Sequence, residues 1–319
     1  MELILFDKVC LFDSTHQQTI LYGQYKEKFN KIEIENVEFN VIVCDNRNDF
    51  YIRLYGRVSI LDTVLIIYSD KVTKLSNICL YFPFENCDLQ LNSKSAIIST
   101  ICKDYSHRID EWIKYNLHIG FSGIIIFNND GNKLTKLNEP LSNCVKGFSI
   151  ELICKKYKGK VYVVDYPYSP FEGEHWNNIQ RISLQIGVNA FRNKCRNIAL
   201  IDADEFIYIS QNPCMKIEQF LKNYDTTITM QSNILTNKNE DDLLDNNILR
   251  LAKYVGENKY LKTILNTDEI KENEFILTPH NHHSEIILDK TVIIHYHCWM
   301  NSRYKYDSSM QMINILSNE

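Results

Sequence analysis

The stretch Asn197-Ile198-Ala199-Leu200-Ile201-Asp202-Ala203-Asp204-Glu205-Phe206-Ile207-Tyr208-Ile209 decides how the rest of the chain is read. Ile198 to Ile201 is a short continuous apolar run, the pattern of a strand covered on both faces, and it leads directly into Asp202-Ala203-Asp204-Glu205. Side chains alternate along extended backbone, so Asp202 and Asp204 are expected to converge on one side while small Ala203 turns aside. Two carboxylates brought together beside a low-dielectric core repel each other, and a divalent cation relieves that repulsion. An isolated Asp-x-Asp is common by chance as a solvated strand end; the buried strand in front of this one is what points to a metal.

The 319 residues suffice for one large domain or two ordinary ones, and 45% hydrophobic content can fill a core. A formal net charge of -5 leaves no basic footprint, which argues against a nucleic-acid partner. The ten cysteines are irregularly spaced and form no Cys-x-x-Cys pair, so buried reduced thiols are expected rather than a disulfide scaffold or a zinc ribbon. Glu2 stands where a secretory signal carries positive charge, and Asp7 and Lys8 cut the first apolar run short. No run reaches the roughly 18 to 20 apolar residues of a membrane span, so the expectation is a cytoplasmic protein without a transmembrane segment. The closing residues read as an unfinished ending, with more chain expected to follow.

Residues 1–92 alternate β-branched and aromatic runs with polar clusters. Ile32 to Val43, Tyr51 to Tyr55, Val64 to Tyr68 and Ile78 to Phe82 read as strands of a small antiparallel sandwich or barrel, with no catalytic constellation among them. Residues 93–319 change pattern. Ala96 to Ile101 reads as a strand, Ser106 to Ile119 as an amphipathic helix with Ile109, Trp112, Ile113 and Leu117 on one face, and Ile124 to Phe127 as a second strand. Val161 to Val164 is a third strand ending at Asp165, and a helix from Trp176 to Phe191 leads to the fourth, at Ile198. Such βαβ succession predicts an α/β domain with a doubly wound parallel sheet, whose ligands bind beyond the carboxyl ends of the strands. Lys103-Asp104, Asn129-Asp130, Asp165 and Asp202-x-Asp204 all fall at such ends. Further on, Met215 to Tyr224 reads as a helix, Thr226 to Ile234, Asn258 to Leu265, Glu274 to Thr278 and Thr291 to Tyr296 as strands, Asn237 to Asn247 as an acidic loop, and Ser308 to Leu316 as a closing helix.

Four segments occur together in a known order: ICKDYSHRIDEWIKYNLHIGFSGIIIFNNDG (Ile101 to Gly131), LIDADEFI (Leu200 to Ile207), KTIL (Lys262 to Leu265) and HYHCWMNSRYK (His295 to Lys305). Together they resemble the glycosyltransferase family 2-like group that includes family 92, over roughly residues 95–306. The matches are Lys103-Asp104, Glu111-Trp112-Ile113 and Asn128-Asn129-Asp130; Tyr105, Asn128 and Asn116 depart from the group's usual acid, acid and histidine. The resemblance implies a GT-A fold behind a β-rich accessory domain, and a transferase that moves a sugar from a nucleotide sugar, a UDP-sugar expected, to a glycan or glycolipid acceptor with inversion.

The cofactor so implied is Mn²⁺ or Mg²⁺, held by Asp204 as principal ligand and by Asp202, which also lies toward the ribose. His295 is the preferred third ligand and His297 the second choice; the two share a strand face around Tyr296. Donor contacts are expected from Lys103, Asp130, Asp165, Asp202 and Lys262, the last as a point charge on a phosphate. An inverting displacement needs a base, and Glu240, Asp241, Asp242 and Glu285 are the undecided candidates. Arg303 and Lys305 are weaker phosphate candidates, and His175-Trp176 a weak acceptor contact; Trp112, on its helix's apolar face, reads as core. Each of these residues taken singly is more often a solvated or structural group. A metal-dependent nucleotidyltransferase is the nearest rival, though no phosphate-binding Gly-rich loop is found. A non-catalytic sugar- or zinc-binding protein is the other, with His280, His282, His295 and His297 as possible zinc ligands. A glycolipid acceptor would bring the protein to a membrane periphery, but no basic amphipathic helix argues for it.

Overall fold

The computed structural model describes residues 3–103, 109–129, 150–236, 253–276, 278, 280 and 286–298, with the backbone course alone for 235–236, 253–258 and 295–298. In the N-terminal part, β1 (Leu3–Leu5), β2 (Leu11–Asp13), β3 (Gln18–Tyr25), β5 (Phe39–Cys44) and β6 (Asp49–Tyr55) form a five-stranded sheet, and β4 (Lys31–Ile34), β7 (Ile60–Ile67) and β8 (Val72–Cys79) a three-stranded one. Each named strand pair within these two sheets is antiparallel. Leu21, Phe50, Ile52 and Leu54 of the first sheet share one apolar cluster with Ile32, Ile34, Leu61, Val64 and Ile66 of the second, which makes the arrangement a sandwich.

Ile32 to Val43, read above as one strand, is two. Asn36 takes a positive φ of 59°, a conformation that Asn tolerates better than most residues, and the chain turns there from one sheet to the other. The opposite face of the five-stranded sheet is also covered. Ile20, Tyr22 and Tyr51 pack in a second cluster with Phe127, Tyr166, Ile179, Ile182 and Ile186 from the rest of the chain. That double coverage explains why seven of the eight β3 residues are buried.

The larger sheet contains β9 (Ala96–Cys102), β10 (Gly123–Asn128), β11 (Val161–Asp165), β12 (Asn197–Leu200), β13 (Glu205–Tyr208), β14 (Ile228–Thr236), β15 (Lys253–Asn266), β16 (Ile286–Leu288) and β17 (Ile294–Cys298). Its order is β11-β10-β9-β12-β15-β14-β17-β13, with β16 beside β14. The first four strands run parallel, in the order third, second, first, fourth. β15 is antiparallel to both β12 and β14.

Helices cover both faces of the parallel half. Ile98, Ile124, Ile126 and Ala199 face Ile109, Trp112 and Ile113 of α1 (Ile109–His118) and Ile150 and Ile153 of α2 (Ile150–Cys154). Ile97, Ile125, Phe127 and Ile198 face α3 (Asn177–Phe191). Alternate residues thus enter different clusters, and this is why these strands read as unbroken apolar runs. Gly187 of α3 lies so close to β9 that a Cβ there would fall 2.2 Å from Ser99 Oγ. The helix expected from Met215 to Tyr224 is the shorter α4 (Ile217–Leu221), and Glu274 to Ile276, expected as strand, is irregular. Among the described residues no helix is long and apolar enough to cross a membrane.

Candidate metal centre

The order of the parallel strands reverses between β9 and β12: β10 and β11 extend outward from one side of β9, and β12 lies on the other. In open α/β sheets the crevice beyond the carboxyl ends at such a reversal is where ligands bind. β9 ends next to Lys103, and β12 runs through Ile201 into Asp202.

The acidic triplet is not extended, as alternation along a strand required. Glu205 N–H donates to Asp202 C=O at 3.0 Å, closing a turn, and the carboxylates converge through that turn. Ala203 turns into the core at 6% exposure, as a small residue can. The carboxyl oxygens of Asp202, Asp204 and Glu205 lie within 4.8 Å of one another. Glu205 is the buried member, its side chain 2% exposed against 34% for Asp202. Its carboxylate folds back and accepts from the Asp202 backbone N–H at 2.7 Å, while its C=O accepts from the indole N–H of Trp112 at 2.7 Å. Tyr115 O–H donates to Ile207 C=O at 2.7 Å, so α1 pins the exit of the turn twice. Trp112 is core at 1% exposure, and its one polar atom locks the acidic turn.

Lys262 brings an ammonium into the cluster. Its buried ammonium lies 2.9 Å from Asp202 Oδ2 and 3.0 Å from Glu205 Oε2. Gln180 of α3 donates its side-chain amide to Asp202 Oδ1. Lys262 was expected beside a phosphate; it lies against these two carboxylates. Burial pulls the Lys262 ammonium down, and the charges of Asp202 and Glu205 overcome it and hold its pKa above the ordinary lysine value. Asp202 is pushed up to about 6, first by its desolvated surroundings and then by the charge of Glu205, against the pull of Lys262. The ammonium is shared between Asp202 and Glu205, and Asp204 brings a third carboxylate to the same turn. Three carboxylates so placed form an all-oxygen donor set of the kind that could hold a hard divalent cation, and Asp202 and Asp204 are its more exposed members.

The remaining sequence candidates are distributed as follows. Lys103 directly follows β9, the strand next to β12. Asp165 ends β11, three strands away, or about 14 Å at ordinary strand spacing, so the structure does not bring it to the acidic turn. Asn129 is buried and faces inward: its amide donates to the carbonyls of Tyr166 and Tyr168 at 2.6 and 2.9 Å. Trp176 N–H donates to Asn129 Oδ1 at 3.3 Å, which ties the start of α3 to the end of β10. The β17 register sets His297 opposite Glu205 and His295 opposite Ile207, so the backbone of His297, the second choice above, is the nearer to the turn. His280 Nδ1 lies 2.8 Å from Leu261 O and its ring meets Tyr260 at 5.4 Å between centroids. Asp104, Asp130, Glu240, Asp241, Asp242, His282, His283, Glu285, Arg303, Lys305 and the closing helix lie outside the described residues. Gln180 and the inward role of Glu205 were not anticipated. A glutamine within an amphipathic helix carries no signal of its own; the i, i+4 spacing from Trp176 to Gln180 is the one available hint.

No protein-family model matches this chain, and no curated protein matches it. Among solved structures, Cwp6 from Clostridium difficile is similar over 64% of this chain at 10% identity, with a TM-score of 0.21. The match spans 46% of that protein's own length, and a likeness this slight carries no argument about fold or function.

Proposed function

We propose that this chain is a divalent-metal-dependent glycosyltransferase of the GT-A type, moving a sugar from a nucleotide sugar, a UDP-sugar first among candidates, to a glycan or glycolipid acceptor with inversion. The observation that carries the proposal is the acidic turn Asp202–Glu205 at the reversal of strand order, where a mononucleotide crevice belongs. The residue pattern that resembles the family 2-like group supports the same reading. Bound Mn²⁺ or Mg²⁺ supplies Lewis-acid stabilisation of the departing pyrophosphate. Asp204 and Asp202 hold the cation, with an imidazole from His297 or His295 as third ligand. Lys262 favours the charged form of Asp202 and ties Asp202 to Glu205 across the turn, and Lys103 follows the neighbouring strand on the donor side. The base that takes the acceptor proton is sought among Glu240, Asp241, Asp242 and Glu285.

Calorimetric titration with UDP, with and without Mn²⁺, on the native chain and on Asp204→Ala tests the proposal. The expected result is binding that needs the metal and is lost in the variant. Failure of UDP, GDP and CMP alike would sink the transferase reading. One observation favours a non-catalytic protein instead: Lys262 and Gln180 already engage both oxygens of Asp202. That reading predicts no nucleotide affinity, with or without Mn²⁺, in the same titrations.

A further inference from the structure

We propose that Gln180 is a positioning residue for Asp202, and that the N-terminal β-rich unit sets it in place through the buried Asp49–Arg181 pair. Aromatic packing joins this unit to the rest of the chain at Phe6 against Tyr166 and at Phe84 against Phe127 and Phe191, and single polar contacts such as Arg53 to Glu272 and Asn189 to Tyr22 add to it. The start of α3 is different. Arg181 Nε and Nη2 donate to the two oxygens of Asp49, at 2.7 and 3.0 Å, and Nη2 also donates to the Arg47 carbonyl at 3.0 Å. Gln24 donates to Asp49 Oδ1 and to the Asn178 carbonyl, both at 2.9 Å. The Asp49 and Arg181 side chains are 3% and 10% exposed.

A bidentate guanidinium pair fixes direction as well as distance. Here it fixes the rotation of α3 about its own axis. Gln180 is the preceding residue, about 100° around the helix, and its amide meets Asp202 Oδ1 while Lys262 holds Oδ2. A carboxylate held at each oxygen has one orientation; without Gln180 it can swing about Lys262. Strands more than 130 positions distant in sequence thereby set the geometry of the acidic turn.

The test has two arms, the first needing no metal. The side-chain amide resonance of Gln180 is followed by NMR in the full chain, in Asp49→Asn, in Gln24→Met, which loosens the same bridge without unpairing a charge, and in Arg53→Gln, which breaks the separate Arg53–Glu272 contact of the same interface. The expected result is a shift toward the free-amide position in the first two variants and none in Arg53→Gln. No shift in either of the first two, or an equal shift in all three, overturns the proposal. The second arm rests on the metal reading and uses Mn²⁺ alone in calorimetry. Partners of ligating carboxylates commonly change metal affinity 10- to 100-fold, so Gln180→Leu is expected to weaken Mn²⁺ by about 10-fold. Asp49→Asn should weaken Mn²⁺ in the native background and add nothing in the Gln180→Leu background, because one acts through the other. Additive losses overturn the proposal. A native chain that binds no Mn²⁺ would reject the metal reading, and the amide resonance would still decide the positioning.

Discussion

Asp49 and Arg181 meet as one acid and one base, with both side chains at most 10% exposed, whereas buried Lys262 contacts two acids, Asp202 and Glu205, with Asp204 beside them. The first arrangement is closed: its charges balance, and Gln24 adds a further donor to the carboxylate. The second gathers three carboxylates in one turn, and Asp202 and Asp204 are its more exposed members. A buried pair that balances holds two parts of a chain together. A buried cluster of like charges is where, on the proposed reading, a cation would sit.

Breaking the balanced pair should cost most. Asp49→Leu leaves a guanidinium that cannot deprotonate, and about 4 kcal/mol is expected from urea unfolding at neutral pH. Lys262→Met strands two acids, but acids can take up protons. A loss of about 3 kcal/mol at neutral pH is expected, smaller near pH 5, and partly recovered by added Mn²⁺. If the loss is independent of pH, the two sites do not differ in the way described.

The native chain sharpens the same contrast. Asp202 is raised from 3.8 to about 6, so the folded form binds a proton more tightly than the unfolded chain between those values. Its contribution to stability is therefore greatest on the acid side and declines as pH rises through that window. Unfolding followed against pH should show this decline in the native chain and not in Asp202→Asn, and Mn²⁺ should raise the melting temperature more at pH 7 than at pH 5. The smallest effect belongs to a pair that is balanced but exposed: Arg57 and Glu85, with side chains 49% and 40% exposed. Arg57→Gln is expected to leave the melting temperature unchanged within error.

What could be read in the sequence follows from where each constraint is encoded. The parallel strands were legible because coverage on both faces demands apolar residues at consecutive positions, as at Ile124 to Phe127 and Ile198 to Ile201. The division of Ile32 to Val43 was not, since it rests on one Asn accepting a positive φ. At the site, the residue types of Asp202 and Asp204 were visible but the turn that joins them was not. It depends on Trp112, Lys262 and Gln180, which lie 93, 60 and 22 positions away from their partners in the turn. Asp49 and Arg181 are 132 positions apart, and neither stands out from its neighbours in a chain rich in both charges.

The acidic turn joins β12 to β13, consecutive in the chain, yet β15, β14 and β17 lie between them in the sheet. All three of those strands come later in the sequence. During synthesis, the acids at positions 202, 204 and 205 therefore emerge before their compensating ammonium at position 262 and before the strand that pairs with β13. Completing this part of the sheet therefore needs long-range pairing that closes large loops, a topology that slows folding, and the growing chain carries the three acids before the ammonium of Lys262 has been made.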